Sequence, residues 1–452
     1  MSIIQEKITQ TDQLVSLFEQ NREILNQGSS PILNRIREVS IKRFAQAGIP
    51  GLKNEDYKYT NLKAAFEKSY RQELVQESGL INLNEVYKSN IPELDAHLVF
   101  LVNGWFYSGN KPGSELPKGV VLGSFEQIAN EQPELIQNYI NRQAGLSNDP
   151  FVALNSAFAK DGFFLFVPKG VIIEKPVQII NLLSSEENLR ITQRNLVVAE
   201  AGSQVKLVVC DQTLTSVSYL VNSVSEVYVG EDAVVDVYTI QNHNNQTNVI
   251  NSAFYRQQRN SVLNTGTFIL HGGLTRNNLK VTFNGDHSEA NVNGLSFSDK
   301  KQHTDNFIII EHASPNCLSN QIYKNILDDE STGAFSGRIH VARDAQQTNA
   351  FQRNNNVLLS DKARMQTKPQ LIIDADDVKC SHGATVGQIN EDALFFLRAR
   401  GIGEKDARMM LMNAFAHEVV QKITIESLRE RIDELIEKRL NGEIAAKHEL
   451  TV

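Results

Sequence analysis

From about residue 150 to about residue 380, the chain repeats one short unit, a strand followed by a turn. The strands run about four to eight residues and alternate Val, Ile and Leu with Asn, Gln, Ser and Thr. In several units an apolar residue is followed four positions later by a small one: Val198 with Gly202, Val229 with Ala233, Val341 with Ala345, and Leu359 with Ala363. The unit recurs about every 15 residues without an intervening helix, which is typical of a solenoid. A two-sheet sandwich rarely extends this far. We therefore predict a mainly β chain with a parallel β-helix core.

The segments on either side of this core have helical periodicity. Apolar residues recur at helical spacing in "EKITQTDQLVSLFEQNREIL" and in "ILNRIREVSIKRFAQAG", which ends on Gly48. Asn103-Gly104 is a hairpin-turn dipeptide within a short strand pair, and we expect Trp105 to pack beside that turn. Helical patterns return after the core and form a separate module. The predicted domains are a mostly helical N-terminal domain (1–150), a β-helix core (151–384) and a helical C-terminal domain (385–452).

Composition and motifs argue against several classes of function. The net charge is −8 with a pI near 5.8, and no basic stripe is present, which argues against nucleic acid as the main partner. The stretch "MSIIQEKITQTDQL" lacks the basic region and apolar core of a secretory signal, and no apolar run approaches the roughly 18 residues of a membrane span. Three scattered cysteines, Cys210, Cys317 and Cys380, indicate a reducing compartment. We therefore expect a cytoplasmic protein. It contains no P-loop motif, so we expect no nucleotide bound by this chain itself.

The segment "DVKCSHGATVG", residues 377–387, contains a candidate metal site. In a strand, Cys380 and His382 lie on one face, here at the last coil of the solenoid, where an edge is left open. A thiolate and an imidazole form a borderline-soft pair that suits iron or zinc. Two ligands are too few for a closed site, so other coils or a second chain must supply the rest. The spacing alone leaves open whether the two residues are ligands or only pack together.

Several other Asp, Cys and His side chains are weaker candidates for a functional site. Asp374, Asp376 and Asp377 allow an alternative function, a β-helix enzyme acting on carbohydrate through Asp376 and Asp377. Their pattern favours a solvated turn instead. Cys210 ends an apolar strand and is expected to be a small buried residue. His312 and Cys317 flank a loop with a spacing that matches no familiar ligand set, so we expect structural roles for both.

One long block resembles a known family. Residues 351–402, "FQRNNNVLLSDKARMQTKPQLIIDADDVKCSHGATVGQINEDALFFLRARGI", closely resemble the SufD branch of the SufB/SufD family of the SUF iron–sulfur cluster assembly system. The resemblance continues in "SGRIHVARDAQQTNA" and "ALNSAFAKDGFFLFVPKGV", and more loosely in "GIPGLKNEDYKYTNL". Cys380-Ser381-His382-Gly383 stands where SufB proteins typically have Glu-His-Glu-Ala, which favours the SufD branch. Tyr57 stands where the family often has tryptophan.

This resemblance implies both an architecture and a function. It implies a right-handed parallel β-helix core between helical N-terminal and C-terminal domains. It implies a non-enzymatic scaffold that pairs with SufB through the β-helix ends, or with itself as a homodimer, and binds the ATPase SufC through the C-terminal helices. By the same resemblance, His382 helps to hold a transient iron–sulfur cluster or iron at the SufB–SufD interface, and Cys380 is a weaker candidate ligand.

Three methionines on one predicted C-terminal helix are candidates for a docking surface. Helical spacing places Met409 and Met412 on one face with Ala416, whereas Met410 points elsewhere. Methionine suits adaptable docking surfaces, but it also fills irregular gaps in a core. The sequence leaves both interpretations open.

Overall fold

The computed structural model describes residues 9–76, 94–107 and 116–442. Its strands form two stacked sheets, and the chain alternates between them. Sheet A contains β1 (Arg71–Gln72), β4 (Val121–Ser124), β5 (Phe163–Val167), β7 (Leu189–Ala199), β9 (Tyr219–Val229), β11 (Asn248–Gln257), β13 (Leu274–Phe283), β15 (His303–His312), β17 (Thr332–Val341) and β19 (Arg364–Ile373). Sheet B contains β2 (His97–Val102), β3 (Trp105–Phe106), β6 (Val177–Leu183), β8 (Gln204–Thr213), β10 (Val234–Asn242), β12 (Val262–His271), β14 (Glu289–Ser298), β16 (Leu318–Leu327), β18 (Thr348–Leu358) and β20 (Val378–Gly387).

From β7 to β18 each strand pairs in parallel with the strands two places before and after it in the chain, so the two sheets wind as a solenoid. This confirms the predicted mainly β fold with a parallel solenoid. The expected strand length of four to eight residues was too short, because most strands from β7 to β20 span 9 to 11 residues. Buried Asn and Gln side chains of these longer strands point into the lumen, where they hydrogen-bond to one another. Asn277 donates to Gln241, and Asn325 donates to Asn356.

The lumen between the sheets is the main hydrophobic core. It is filled by side chains that alternate along the strands, such as Leu207, Val235, Val281 and Ile310. Tight turns between strands of the two sheets repeat a left-handed backbone conformation, for example at Asp232 (φ 58°) and Asp329 (φ 51°). Asp, Asn and Gly tolerate this conformation best, which explains the polar turns that the sequence repeats.

Helices cover the outer face of sheet A. They are α1 (Gln10–Asn26), α2 (Pro31–Ala47), α3 (Lys63–Glu67), α4 (Phe125–Glu131), α5 (Pro133–Ile136) and α6 (Pro150–Phe158). Phe18, Phe44 and Phe151 pack with Leu220 and Ile250 of the sheet in one buried cluster. The prediction that α2 ends at Gly48 is confirmed, because this glycine caps the helix with a φ of 67°.

The predicted hairpin at Asn103-Gly104 is also confirmed, and Trp105 is buried beside it. Its first strand, β2, pairs in parallel with β6, so residues before 150 already contribute to the solenoid. Residues 1–8 of the predicted N-terminal domain and 443–452 of the predicted C-terminal domain lie outside the described residues. The predicted domain boundaries stay predictions.

The C-terminal helices cover the outer face of sheet B. They are α7 (Glu391–Arg398), α8 (Glu404–Val420) and α9 (Glu426–Leu440), at the positions that the sequence predicted. Met412, Val419 and Ile432 share one buried cluster with Phe268 and Leu295 of the sheet. Polar contacts fix this packing as well. Lys324 of β16 pairs with Glu418 and donates to the carbonyl oxygen of Phe415 at 3.0 Å. No helix in the described ranges is long and apolar enough to cross a membrane.

Candidate interface site at the open end of the solenoid

The last coil of the solenoid consists of β19 and β20, and each of these strands is paired along one edge only. β19 pairs with β17 and β20 pairs with β18, and neither has a further partner strand among the described residues. The side chains of β20 are mostly exposed, in contrast to those of β18 below it. Along the outer edge of this coil, the backbone N–H and C=O groups have no partner strand among the described residues. This end of the lumen faces the surroundings.

Cys380 and His382 lie on β20 with their side chains on the lumenal face. Cys380 is the register partner of Ala350, and His382 is the register partner of Gln352. Ala350 and Gln352 are both buried inside the lumen, and residues in register on parallel strands point to the same side. The structure thus brings the two predicted site residues together on one face at the open end. Whether they bind metal stays a prediction.

The two side chains have different environments. Cys380 is half-buried against the lumenal core, and desolvation raises the pKa of its thiol, with a partial offset from a backbone hydrogen bond at Ala350. The thiol is therefore the stable form in the isolated chain at neutral pH, and a metal would have to displace its proton. The His382 side chain is exposed, and its imidazole makes no hydrogen bond with any residue in the described part of the chain.

Cys380 and His382 belong to no larger group of candidate metal ligands among the described residues. Across residues 9–76, 94–107 and 116–442, no group of three or more His, Cys, Asp or Glu side chains could hold a metal ion together. A closed metal site needs about four ligands. Cys380 and His382 can therefore supply only part of such a site.

A chain of buried amides supports this end of the solenoid from below. Asn325 donates to Asn356 at 2.6 Å, and Asn356 donates to Asn354 at 2.7 Å and to the carbonyl oxygen of Thr385 at 2.8 Å. Thr367 of β19 donates to Asn354 at 2.8 Å from the opposite wall. These bonds join β16, β18, β19 and β20. Because β19 and β20 bury few apolar side chains, the amides are a large share of what holds the last coil in place.

The other reactive residues occupy positions suited to structural roles. Asp374, Asp376 and Asp377 are exposed in the turn between β19 and β20, where Asp374 lies 3.2 Å from His340. Cys317 is buried in the lumenal core. The His312 ring is buried and stacks on Phe283 at 4.5 Å.

Cys210 lies on the outer face of sheet B, next to the cluster formed with the C-terminal helices. Burial raises the pKa of its thiol to about 12. This thiol stays protonated at neutral pH and is a poor ligand or nucleophile.

Sequence reasoning missed an exposed aromatic pair on α7. Phe395 is 74% exposed and Phe396 is 55% exposed, whereas Leu394 between β20 and these residues is buried. The Arg400 guanidinium lies 3.4 Å from the centre of the Phe396 ring. The signal was the run Leu-Phe-Phe in a short helix that can bury only one stripe. Large exposed apolar side chains side by side are typical of contact surfaces.

The sequence left open whether the methionines of α8 form a docking surface or fill the core, and the structure places them in different environments. Met412 is buried in the bundle together with Ala416. Met410 is exposed and Met409 is half-buried. One face of α8 is therefore core, and the other remains available for contact.

The segment "EDYKYT" lies across the outer face of sheet A and reaches the last coil. Tyr57 is buried, donates to Asp149 at 2.7 Å, and lies against the guanidinium of Arg276 at 4.4 Å. Glu55, at the start of the segment, pairs with Lys368 on β19. Together with the sheet, the segment bounds a cavity of about 360 Å³. It thus connects the N-terminal helices to the strand next to the candidate site.

The sequence matches one family along most of its length. Residues 182–415 match the family described as "SUF system FeS cluster assembly, SufBD core domain", and residues 8–179 match the "SufBD protein N-terminal region". An iron–sulfur cluster assembly SufBD family protein of Synechocystis is 29% identical over 442 residues, covering 95% of this chain and 96% of that protein.

Two relatives carry the name of one branch of the family. The iron–sulfur cluster assembly protein SufD of Escherichia coli is 27% identical over 407 residues, covering 89% of this chain and 92% of that protein. The protein of the same name from Bacillus subtilis is 27% identical over 327 residues, covering 72% and 74%. The similarity includes both the solenoid and the covering helices.

Proposed function

We propose that this chain, which belongs to the SufBD family of iron–sulfur cluster assembly proteins, is a non-catalytic scaffold subunit in the cytoplasm that holds a nascent cluster jointly with a second subunit. The observation that carries this proposal is the position of His382. It is exposed on the lumenal face of the outermost strand, with Cys380 two residues before it on the same face as a second donor. Iron or the cluster is the cargo of the reaction, and residues of the second subunit complete its ligand set.

The open end of the solenoid supports pairing with a SufB-type subunit, or with a second copy of this chain. The unpaired edges of β19 and β20 can accept strands of a partner through backbone hydrogen bonds. Apolar side chains are exposed around the same end, namely those of Phe351, Ile372, Ile373 and Val386. An exposed apolar rim around an unpaired strand edge favours a protein interface.

The exposed pair Phe395 and Phe396 supports binding of a SufC-type ATPase to the C-terminal helices. Aromatic side chains dominate the energy of many protein interfaces because they bury a large area with little loss of conformational entropy. The buried face of the same helices packs on sheet B, so a partner bound there is connected to the solenoid through Lys324 and Glu418. In this arrangement the ATPase supplies the nucleotide chemistry.

The test is assembly of the chain with SufB-type and SufC-type partners from one organism, followed by mass measurement and reconstitution with iron and sulfide. We expect His382→Ala to leave the melting temperature and the complex unchanged, because the side chain is exposed, and to reduce cluster formation sharply. Cys380→Ser should have a milder effect. Lys379→Ala, an exposed neighbour on the outer face of the same strand, is the control. Cluster formation at the wild-type rate by His382→Ala would refute the role of this residue.

A further inference from the structure

The amide of Gln352 is buried below His382 with one polar atom unpaired. Gln352 is 1% exposed, and its Nε2 donates to Oε1 of Gln321 at 2.6 Å. Among the described residues, Oε1 of Gln352 has no hydrogen-bond partner, and neither has Nε2 of Gln321. Leaving a buried polar atom without a hydrogen bond costs about 1–3 kcal/mol of folding free energy, so an unpaired amide in the folded chain needs an explanation.

The fold makes room for this amide on the opposite wall of the lumen. Gly337 of β17 faces Gln352, and a Cβ at Gly337 would lie 2.3 Å from Nε2 of Gln352. The backbone at Gly337 is not in the left-handed region, so the glycine provides space and not conformational freedom. The amide is therefore held in place by Gln321 below it and by the gap at Gly337 beside it.

His382 occupies the position directly above Gln352. The two residues are register partners on adjacent parallel strands, which lie about 4.8 Å apart, and their side chains share the lumenal face. β20 is the last strand of sheet B, so no further strand stacks on His382 within the described part of the chain. The imidazole has no hydrogen-bond partner among those residues, and the amide below it has an unused acceptor.

We propose that Gln352 is a positioning residue for His382, whose ring N–H donates to Oε1 of Gln352. This bond fixes one tautomer of the imidazole and turns the other ring nitrogen, with its lone pair, toward the open end of the solenoid. Histidines that bind metals commonly donate their second nitrogen to an oxygen acceptor, which orients the ring and raises its basicity. The inference rests on the proposed ligand role of His382, and it adds the group that prepares this ligand before the partner and the cargo arrive.

The test is the tautomer of His382 in the complete, metal-free chain. Selective ¹⁵N labelling of histidine reports the two ring nitrogens at about pH 8, and His382→Asn assigns the signal. We expect one tautomer to dominate in the wild type. Gln352→Met removes the acceptor at similar volume and should shift the ratio several-fold toward that of free imidazole, whereas Gln352→Glu restores an acceptor and should restore the wild-type ratio.

Gln241→Met is the matched control, because Gln241 is a buried lumenal amide in β10, several strands away from β20. It should leave the His382 signals unchanged. If Gln352→Met also leaves them unchanged, an internal water satisfies the amide and the inference is wrong. In the assembled complex, Gln352→Met should weaken cluster retention by about ten-fold. The two roles can be separated. If Gln352→Met loses the tautomer preference while His382→Ala forms clusters at the wild-type rate, the contact between Gln352 and His382 is supported and the ligand role of His382 is rejected.

Discussion

Asn356 donates a hydrogen bond of 2.8 Å to the carbonyl oxygen of Thr385, and this bond ties the outermost strand of sheet B to its neighbour through a buried side chain. The same amide donates to Asn354 at 2.7 Å and its oxygen accepts from Asn325 at 2.6 Å. The side-chain NH₂ group and the side-chain oxygen of Asn356 both take part in hydrogen bonds inside the lumen. Asn356 is therefore a buried anchor for the strand that carries Cys380 and His382.

The first prediction concerns the last coil. Asn356→Leu should lower the free energy of unfolding by about 2–3 kcal/mol, because the Asn325 amide loses its acceptor, and Asn354 and the Thr385 carbonyl each lose one donor, inside the lumen. The loss should be concentrated in β20, where amide hydrogen exchange at residues 378–387 should accelerate most. Asn349→Ala, on the outer face of the same strand β18, is the control and should change exchange little. Uniform acceleration across the solenoid would contradict a local role for Asn356.

The second prediction concerns Arg276 and Asp305 on the outer face of sheet A. They form an ion pair with 2% exposure on each side, and the guanidinium lies between the rings of Tyr57 and Phe307. Arg276→Met should cost about 3–5 kcal/mol in urea unfolding, because it leaves a buried carboxylate without its counter-charge. Adding Asp305→Leu should recover most of this loss.

Arg338→Met is the control for that prediction. Arg338 pairs with Asp56 at 3.5 Å, but the pair is partly exposed, so its loss should cost no more than about 1 kcal/mol. If the double variant of Arg276 and Asp305 is as unstable as Arg276→Met, the loss comes from packing against Tyr57 and not from the unpaired charge.

The third prediction concerns acid stability. Burial lowers the pKa of His243 from 6.5 to about 4, and burial with repulsion from Arg439 lowers that of His271 to about 4. The unfolded chain therefore binds these protons at a higher pH than the folded chain does. The stability from the neutral rings is complete above about pH 6.5 and is lost as the pH falls toward about 4.

Urea unfolding at several pH values measures this loss. His243→Leu should flatten the fall between about pH 6.5 and pH 4 by about 1.4 kcal/mol per pH unit, because one proton fewer is taken up on unfolding. Phe268→Leu, in the neighbouring cluster on sheet B, lowers stability without removing a titrating group and should keep the wild-type slope. An unchanged slope in His243→Leu would mean that its ring is already protonated in the folded chain.

The fourth prediction concerns the proposed ATPase surface. Truncation before α7 is a poor test, because the C-terminal helices cover the apolar outer face of sheet B. The double variant Phe395→Asp with Phe396→Asp should keep the wild-type melting temperature and lower the affinity for a SufC-type partner by at least about ten-fold. Leu146→Asp, which changes a side chain that is 80% exposed in the N-terminal part, is the control. Wild-type affinity of the Phe395/Phe396 variant in titration calorimetry would place the ATPase elsewhere.

The sequence by itself predicted most of the fold. Alternating apolar and polar residues indicated strands, and small or acidic residues after each strand indicated coil turns, because both patterns depend on contacts within a few residues. The helices were predictable for the same reason. The shared face of Cys380 and His382 followed from the two-residue period of a strand, and the long block around them identified the family.

Only the tertiary structure decided what lies next to these elements. Gln352 and His382 become neighbours because β18 and β20 stack in one register, and the register is set by packing of whole coils across the lumen. Likewise, a short helix reveals its apolar residues in the sequence, but not that Leu394 is buried while Phe395 and Phe396 remain exposed. Local periodicity fixes the direction of a side chain. Long-range packing fixes which groups meet there, because those contacts join residues about 30 positions or more apart in a chain whose coils look alike.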